Sequence, residues 1–289
     1  MTRPNKSVLI TDLDNTLFDW FTIWYESFSA LLNKTSEITG ISKDTLIEEI
    51  KPIHQDHGTA EYAFVLERIP SLLKMYGDRE TINSELHEAI HATRSARKTH
   101  LKLYQGVYDT LSELRSKRVR VIAYTESKEW YTKNRLKRLG LDYFIERLYS
   151  PEDHSVPIED SDRTPITFEN MNCLHTPFGE KKPNPKLLLD IISSIGAKKE
   201  ECVYIGDSEL RDIAMAFDAG VTSIFANYGG QHFSDPEAGY ELLRQVTHWT
   251  DKEVQEEKEL KETGAKHKAD FEVNSFSEIL QIINFERAK

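Results

Sequence analysis

Cysteine is scarce. The chain carries two, Cys173 and Cys202, and no CxxC pair, which leaves no material for a disulfide framework or a thiolate zinc site. No apolar run approaches the roughly 18 residues that suggest a membrane span. The run after Met1-Thr2-Arg3-Pro4-Asn5-Lys6 leads into acids and has neither the length of a signal-peptide core nor a small-residue cleavage site, so a cytoplasmic location is expected by default. Basic excess is also missing. A formal net charge of −11 argues against a broad nucleic-acid surface. It permits an anionic small substrate, because a metal and one or two local cations can invert the field inside a cleft. Neither a Walker A loop nor a GxGxxG is present, so a nucleotide-cofactor enzyme has little support. Internal repeats and low-complexity segments are absent.

At 289 residues and 39% hydrophobic, the chain is large enough for a core domain carrying a smaller one. Ser7-Val8-Leu9-Ile10-Thr11 reads as a short buried strand ending at Asp12. Leu17, Phe21, Trp24, Phe28 and Leu31 then form one apolar stripe at helical spacing. Further helical patterns cover about 42–51, 59–77 (interrupted at Pro70) and 80–100. Nothing from 18 to 104 reads as a strand, so this block is expected to be all-helical. After Gly106, helices and strands alternate. Val119 to Tyr124, Arg147 to Tyr149, Cys202 to Ile205 and Val221 to Ala226 read as strands, and helices are expected from Val107, Glu129, Pro185 and about Leu210. Short apolar strands alternating with helices imply a parallel sheet covered on both faces. Residues 150–180 are long, polar and acidic, with Glu152, Asp153, Glu159, Asp160 and Asp162, and read as a loop. Residues 236–268 read as a charged helix that includes Glu253, Glu256, Glu257, Lys258, Glu259 and Lys261.

Ligands of open parallel sheets sit beyond the carboxyl ends of the strands. Asp12, Asp14, Thr125 and Asp207 all fall at or just past expected strand ends, which puts four reactive positions on one sheet edge. The run Asp12-Leu13-Asp14-Asn15-Thr16-Leu17, Thr125 after its strand, Lys182-Pro183-Asn184-Pro185 opening a helix, and Gly206-Asp207-Ser208 with Asp212 occur in the order of four family motifs. The chain resembles the haloacid dehalogenase superfamily, in its phosphatase branch with a helical cap. The resemblance covers about residues 7–17, 104–149, 181–229 and 269–284. It implies a Rossmann-like α/β core over 1–17 and 105–289, with a small all-helical cap domain, 18–104, inserted after the first strand.

The resemblance also implies roles. Asp12 would attack phosphorus, and Asp14 would protonate the leaving oxygen and then take a proton from the hydrolytic water. Lys182 would neutralise charge, and Thr125, with Glu126 beside it, would line the phosphate site. Mg²⁺, a hard ion with oxygen ligands, would be held by Asp12, the Asp14 carbonyl and Asp207, with Asp212 close by. An acid at position 14 favours phosphate esters, because dehalogenating and phosphonate-cleaving members lack one. Glu126 departs from the usual small residue, so its carboxylate must point away from the phosphoryl group or meet a polar part of the substrate. The expected substrate is a small phosphorylated metabolite, a nucleoside monophosphate or sugar phosphate. A phosphomutase and a catalytically silent binding protein of the same fold are the alternatives.

Three features compete for attention. His87-Glu88-Ala89-Ile90-His91 matches the HExxH pattern of zinc peptidases. It lies beside the apolar stripe Ile82, Leu86 and Ile90 and has no evident third ligand, so a packed cap helix is the preferred reading. His54-Gln55-Asp56-His57-Gly58-Thr59 is a polar break between helical patterns: it reads equally as a plain interhelical turn or, as the resemblance implies, as a cap loop facing the site, with His54 and His57 as candidates for leaving-group selection. Phe18-Asp19-Trp20-Phe21 walls an entrance or packs the cap. The two insertions, 150–180 and 231–268, cover the site or build a subunit contact, which admits a homodimer.

Overall fold

The structure is a computed structural model that describes residues 3–153, 165–229, 238–250, 252, 255, 259 and 267–287. Glu159, Asp160, Asp162, Glu253, Glu256, Glu257, Lys258 and Lys261 lie outside the described residues.

Its centre is a seven-stranded, all-parallel sheet. β1 (Asn5–Lys6) stands outside it, paired with the C-terminal strand Asn284–Phe285. β2 (Val8–Thr11) is the central strand, flanked by β3 (Arg120–Tyr124) and β6 (Cys202–Gly206). Beyond β3 lie β4 (Arg147–Ser150) and β5 (Asn172–His175), and beyond β6 lie β7 (Thr222–Ala226) and β8 (Phe271–Val273). The short run Val8-Leu9-Ile10 is apolar throughout because both sheet faces are covered. Leu9 packs into one hydrophobic cluster, while Val8 and Ile10 pack into another. Full burial of a side chain such as Leu9 or Ile10 contributes about 1.5–3 kcal/mol.

α6 (Val107–Ser116) and α7 (Glu129–Leu139) cover the first face; α8 (Pro185–Ser194) and α9 (Ala214–Ala219) cover the second. α8 starts where the sequence says it should. Asn184 accepts a bond from the Leu187 N–H at 2.9 Å and Pro185 occupies the first turn, where its missing N–H costs nothing.

Between β2 and α6 lie α1 (Trp20–Thr39), α2 (Lys43–His57), α3 (Pro70–Tyr76), α4 (Arg79–Glu85) and α5 (His87–His100). They share a third cluster that includes Trp24, Phe28, Leu46, Ile50, Leu72 and Ile82. Several boundaries differ from expectation. α2 runs through Pro52 to His57 and ends at Gly58 (φ 60°), so the polar stretch expected as a break is largely the last turn of that helix. Pro70 opens α3 rather than interrupting a helix. It holds Ile69 extended, as prolines do to the residue before them, and 59–65 are not helical. The pattern at 80–100 splits at Leu86 into two helices.

The insertions bring further corrections. Residues 150–180 are not loop throughout, because β5 adds an edge strand there. Its sequence, Asn-Cys-Leu-His, is mostly exposed and lacks the apolar alternation that reveals a strand. In the second insertion, α10 (Ala238–Val246) packs on the helical block, with Val246 fully buried in the third cluster. His54 Nδ1 lies 2.7 Å from the Val246 carbonyl oxygen, and Gln55 donates to the Trp249 carbonyl at 3.0 Å.

Candidate functional site

Asp12, Thr125 and Asp207 directly follow β2, β3 and β6. These are neighbouring strands, so residues 195 positions apart meet on one edge. The chain after Asp12 turns back on itself. Leu17 N–H bonds to the Leu13 carbonyl at 2.8 Å and Asn15 N–H to the Phe18 carbonyl at 2.8 Å. Asn15 adopts φ 57° there, a conformation that asparagine tolerates better than most residues. This reversal delivers Asp14 to the same edge as Asp12.

Asp12 is held at both oxygens. Lys182 Nζ donates to Oδ1 at 2.6 Å and the Thr16 hydroxyl to Oδ2 at 3.2 Å. Lys182 also donates to Asp212 Oδ1 at 2.9 Å, where the Tyr204 hydroxyl adds a bond at 2.7 Å. Carboxylate oxygens of Asp12, Asp207 and Asp212 lie within 4.8 Å of one another, the one such three-residue group among the described residues. Burial works against the Lys182 charge, but Asp12 and Asp212 outweigh it and keep the ammonium protonated. The same burial, joined by the neighbouring acids, raises Asp12 and Asp207 above the usual carboxylate range. Three carboxylates facing one ammonium leave the cluster short of positive charge. A hard dication with oxygen ligands matches that deficit and that donor set.

Two glycines make room for the cluster. A Cβ on Gly206 would lie 2.3 Å from Asp212 Cγ, and one on Gly229 would lie 2.0 Å from the Asn15 carbonyl oxygen. Asp212 can therefore tuck against the strand end only because residue 206 has no side chain.

Thr125 is buried, and its hydroxyl oxygen accepts from the Ser127 N–H at 3.1 Å, which leaves its proton to donate. The Glu126 carboxylate turns to the chain instead of a phosphate position. It accepts from the Lys182 N–H at 3.1 Å and from Arg211 Nη1 at 2.8 Å. Arg211 in turn lies under the Trp249 ring, 4.5 Å from its centroid, tying the second insertion to the lysine loop.

Asp14 accepts from the Ser127 hydroxyl and, at 3.3 Å, from Arg135 Nη1. Arg135 also pairs with both oxygens of Glu61 at 2.5 and 2.6 Å, and Glu61 accepts from Trp20 Nε1 at 3.0 Å. Ser127, Arg135, Glu61 and Tyr204 escape a reading of the sequence. Each looks like an ordinary helix, loop or strand residue, and only tertiary approach brings it to the site.

Other candidates are not gathered here. His54 is 1% exposed, packs near Phe28, and has its Nδ1 taken up by the Val246 carbonyl. His57 stacks on Tyr62 with ring centroids 3.7 Å apart. His87, Glu88 and His91 are exposed on α5, and His87 Nδ1 lies 2.9 Å from the Ser84 carbonyl. Among the described residues they form no metal-ligand group. Of the aromatic stretch, Phe18 is buried in the sheet's core, Asp19 caps α1, and Phe21 stacks near Tyr25.

Residues 6–220 match the haloacid dehalogenase-like hydrolase family. A glyceraldehyde 3-phosphate phosphatase of Methanopyrus kandleri is 26% identical over 80% of this chain and 88% of its own. Among solved structures, a 2-haloacid dehalogenase of Pseudomonas syringae aligns with a TM-score of 0.56 at 18% identity, over 96% of this chain and 97% of the other. A phosphatase of Thermococcus onnurineus aligns with a TM-score of 0.53 at 18% identity, over 98% of this chain and all of the other. These two share the parallel-sheet fold. With its family match spanning strands β2, β3 and β6 and the site residues at their ends, the chain belongs to the haloacid dehalogenase-like hydrolases.

Proposed function

We propose that the chain is a Mg²⁺-dependent phosphatase that removes phosphate from a small phosphorylated metabolite through an aspartyl phosphate on Asp12. The observation that carries this reading is the linked set Asp12–Lys182–Asp212, with Asp207 beside it and a second carboxyl, Asp14, held separately.

Asp12, Asp207, Asp212 and the Asp14 carbonyl are the proposed ligands of Mg²⁺, which when bound supplies charge neutralisation at the phosphoryl oxygens. Asp12 attacks phosphorus, and the bond to the leaving oxygen breaks. Lys182 keeps the Asp12 carboxylate aimed and offsets its repulsion toward an anionic ester. Thr125 donates its free hydroxyl proton to a phosphoryl oxygen, and backbone N–H groups after β3 assist. Asp14 gives its proton to the leaving oxygen, then accepts one from the water that cleaves the acyl phosphate. The Glu126 side chain positions the Lys182 loop and is not proposed as a phosphate ligand.

The helical block, residues 18–104, is proposed as a cap over this edge, with α10 packed against it. Sugar phosphates and nucleoside monophosphates remain the proposed substrate class. The Methanopyrus relative's name favours a three-carbon sugar phosphate as the first to try. A panel of phosphate esters with Mg²⁺ should release phosphate, and Asp12→Asn should abolish release. Turnover retained by that variant would overturn the reading.

A further inference from the structure

The helical block reaches the site through one buried carboxylate. Glu61 lies on the chain between α2 and α3, and its side chain is 7% exposed; Arg135, on α7 of the sheet domain, is 3% exposed. Both Glu61 oxygens take bonds from the same guanidinium nitrogen, Nη2. A guanidinium is planar, so fixing Nη2 also fixes the direction of Nη1, and Nη1 is the group that meets Asp14 Oδ1 at 3.3 Å. Glu61 is itself aimed by Trp20 Nε1. Trp20 opens α1, five residues past Asn15 on the reversal that carries Asp14. Tyr131 completes the arrangement, with Arg135 5.7 Å from its ring centroid and Arg97 of α5 4.7 Å from it.

We propose that Arg135 and Glu61 are a positioning pair for Asp14, through which the seating of the helical block aims the Asp14 carboxyl at the leaving oxygen. The proposal rests on the phosphatase reading above. An aspartate carboxyl rotates in a broad torsional well, so it needs donors on both oxygens to hold one direction. Ser127, from the sheet domain, supplies one regardless of the helical block. Arg135 supplies the other, and its place is set by Glu61. A block that is not seated leaves Asp14 with one restraint, and a seated block gives it two.

The alternative is that the pair only fastens the block to the sheet. Leaving-group dependence separates the two. An alkyl phosphate needs a proton on its departing oxygen, whereas 2,4-dinitrophenyl phosphate does not. In Mg²⁺, Glu61→Gln and Arg135→Lys should lower kcat/KM, which covers only the steps through departure of the leaving group, on the alkyl ester by about 10-fold or more, part of what a general acid contributes. On the dinitrophenyl ester kcat/KM should stay within about 2-fold. The double variant Glu61→Gln/Arg135→Gln removes the two opposite buried charges together and makes the same comparison if a single variant does not fold. Equal losses on both esters, in folded protein, would overturn the proposal. Wild-type protein inactive on both esters would overturn the phosphatase reading, and the proposal with it.

Discussion

At Gly206 a single methyl group decides whether the acidic cluster assembles. Its Cβ would fall on the Asp212 carboxylate, whose other contacts are Lys182, Tyr204 and the Ser208 N–H. Gly206→Ala should therefore displace Asp212 and misplace Lys182, lowering kcat by about 10-fold or more, as small misplacements in active sites do. Steady-state kinetics on any accepted ester checks this, and near-normal kcat would show that Asp212 is not needed where it lies. Asp12 and Asp207 were legible in the sequence because each sits at a strand end, and strand ends are readable from short apolar runs; Asp212 was legible only through the resemblance. Their supports were not. Tyr204 reads as one more buried strand residue, and Arg135 as one cation on a basic helix. Nothing local reveals that one meets Asp212 and the other joins Asp14 to a glutamate 74 positions away.

Elements of the sheet were the readable part, since β2, β3, β6 and β7 are short, largely apolar runs, and β2 and β6 run directly into an aspartate. The helical block was read as helical, but its internal boundaries misled at Pro52 and Pro70. One proline lies within a helix and the other starts one. The packing of α10 on α2 had no local signal, because it depends on residues 192 positions apart meeting at His54 and Val246. Burial lowers the His54 pKa to about 4, with the Val246 carbonyl partly opposing. The unfolded chain takes up this proton near pH 6.5, while the folded chain resists it. Stability should thus be full above about pH 6.5 and fall as pH drops toward 4, by on the order of 3 kcal/mol. His54→Gln keeps a donor for Val246 and cannot titrate. Urea unfolding at pH 7 and pH 5 should show a smaller acid loss in this variant than in wild type. An unchanged difference would contradict the account. Val246→Ala should cost about 1–3 kcal/mol by the same measurement, through lost burial and the cavity left behind; a smaller loss would mean that α10 contributes little to the block.

Over the whole molecule the balance of charge is negative, and the excess is felt most where Asp12, Asp207 and Asp212 converge. A cation bound only by the folded state must raise stability by mass action, about 2.7 kcal/mol at one hundred times its Kd. Mg²⁺ should therefore raise the melting temperature of the wild type and have less effect on Asp207→Asn; equal shifts in both would remove Asp207 from the ligand set. The covalent step on Asp12 is the centre of the account. Its most direct test is to acid-quench the enzyme during turnover of an accepted ester with Mg²⁺ and map the peptides by mass spectrometry. The account predicts one phosphoryl group on the peptide containing residues 7–17, carried by Asp12 and lost in Asp12→Asn. Phosphate release at full rate by an Asp12→Asn enzyme, with no adduct on that peptide in wild type, would contradict it.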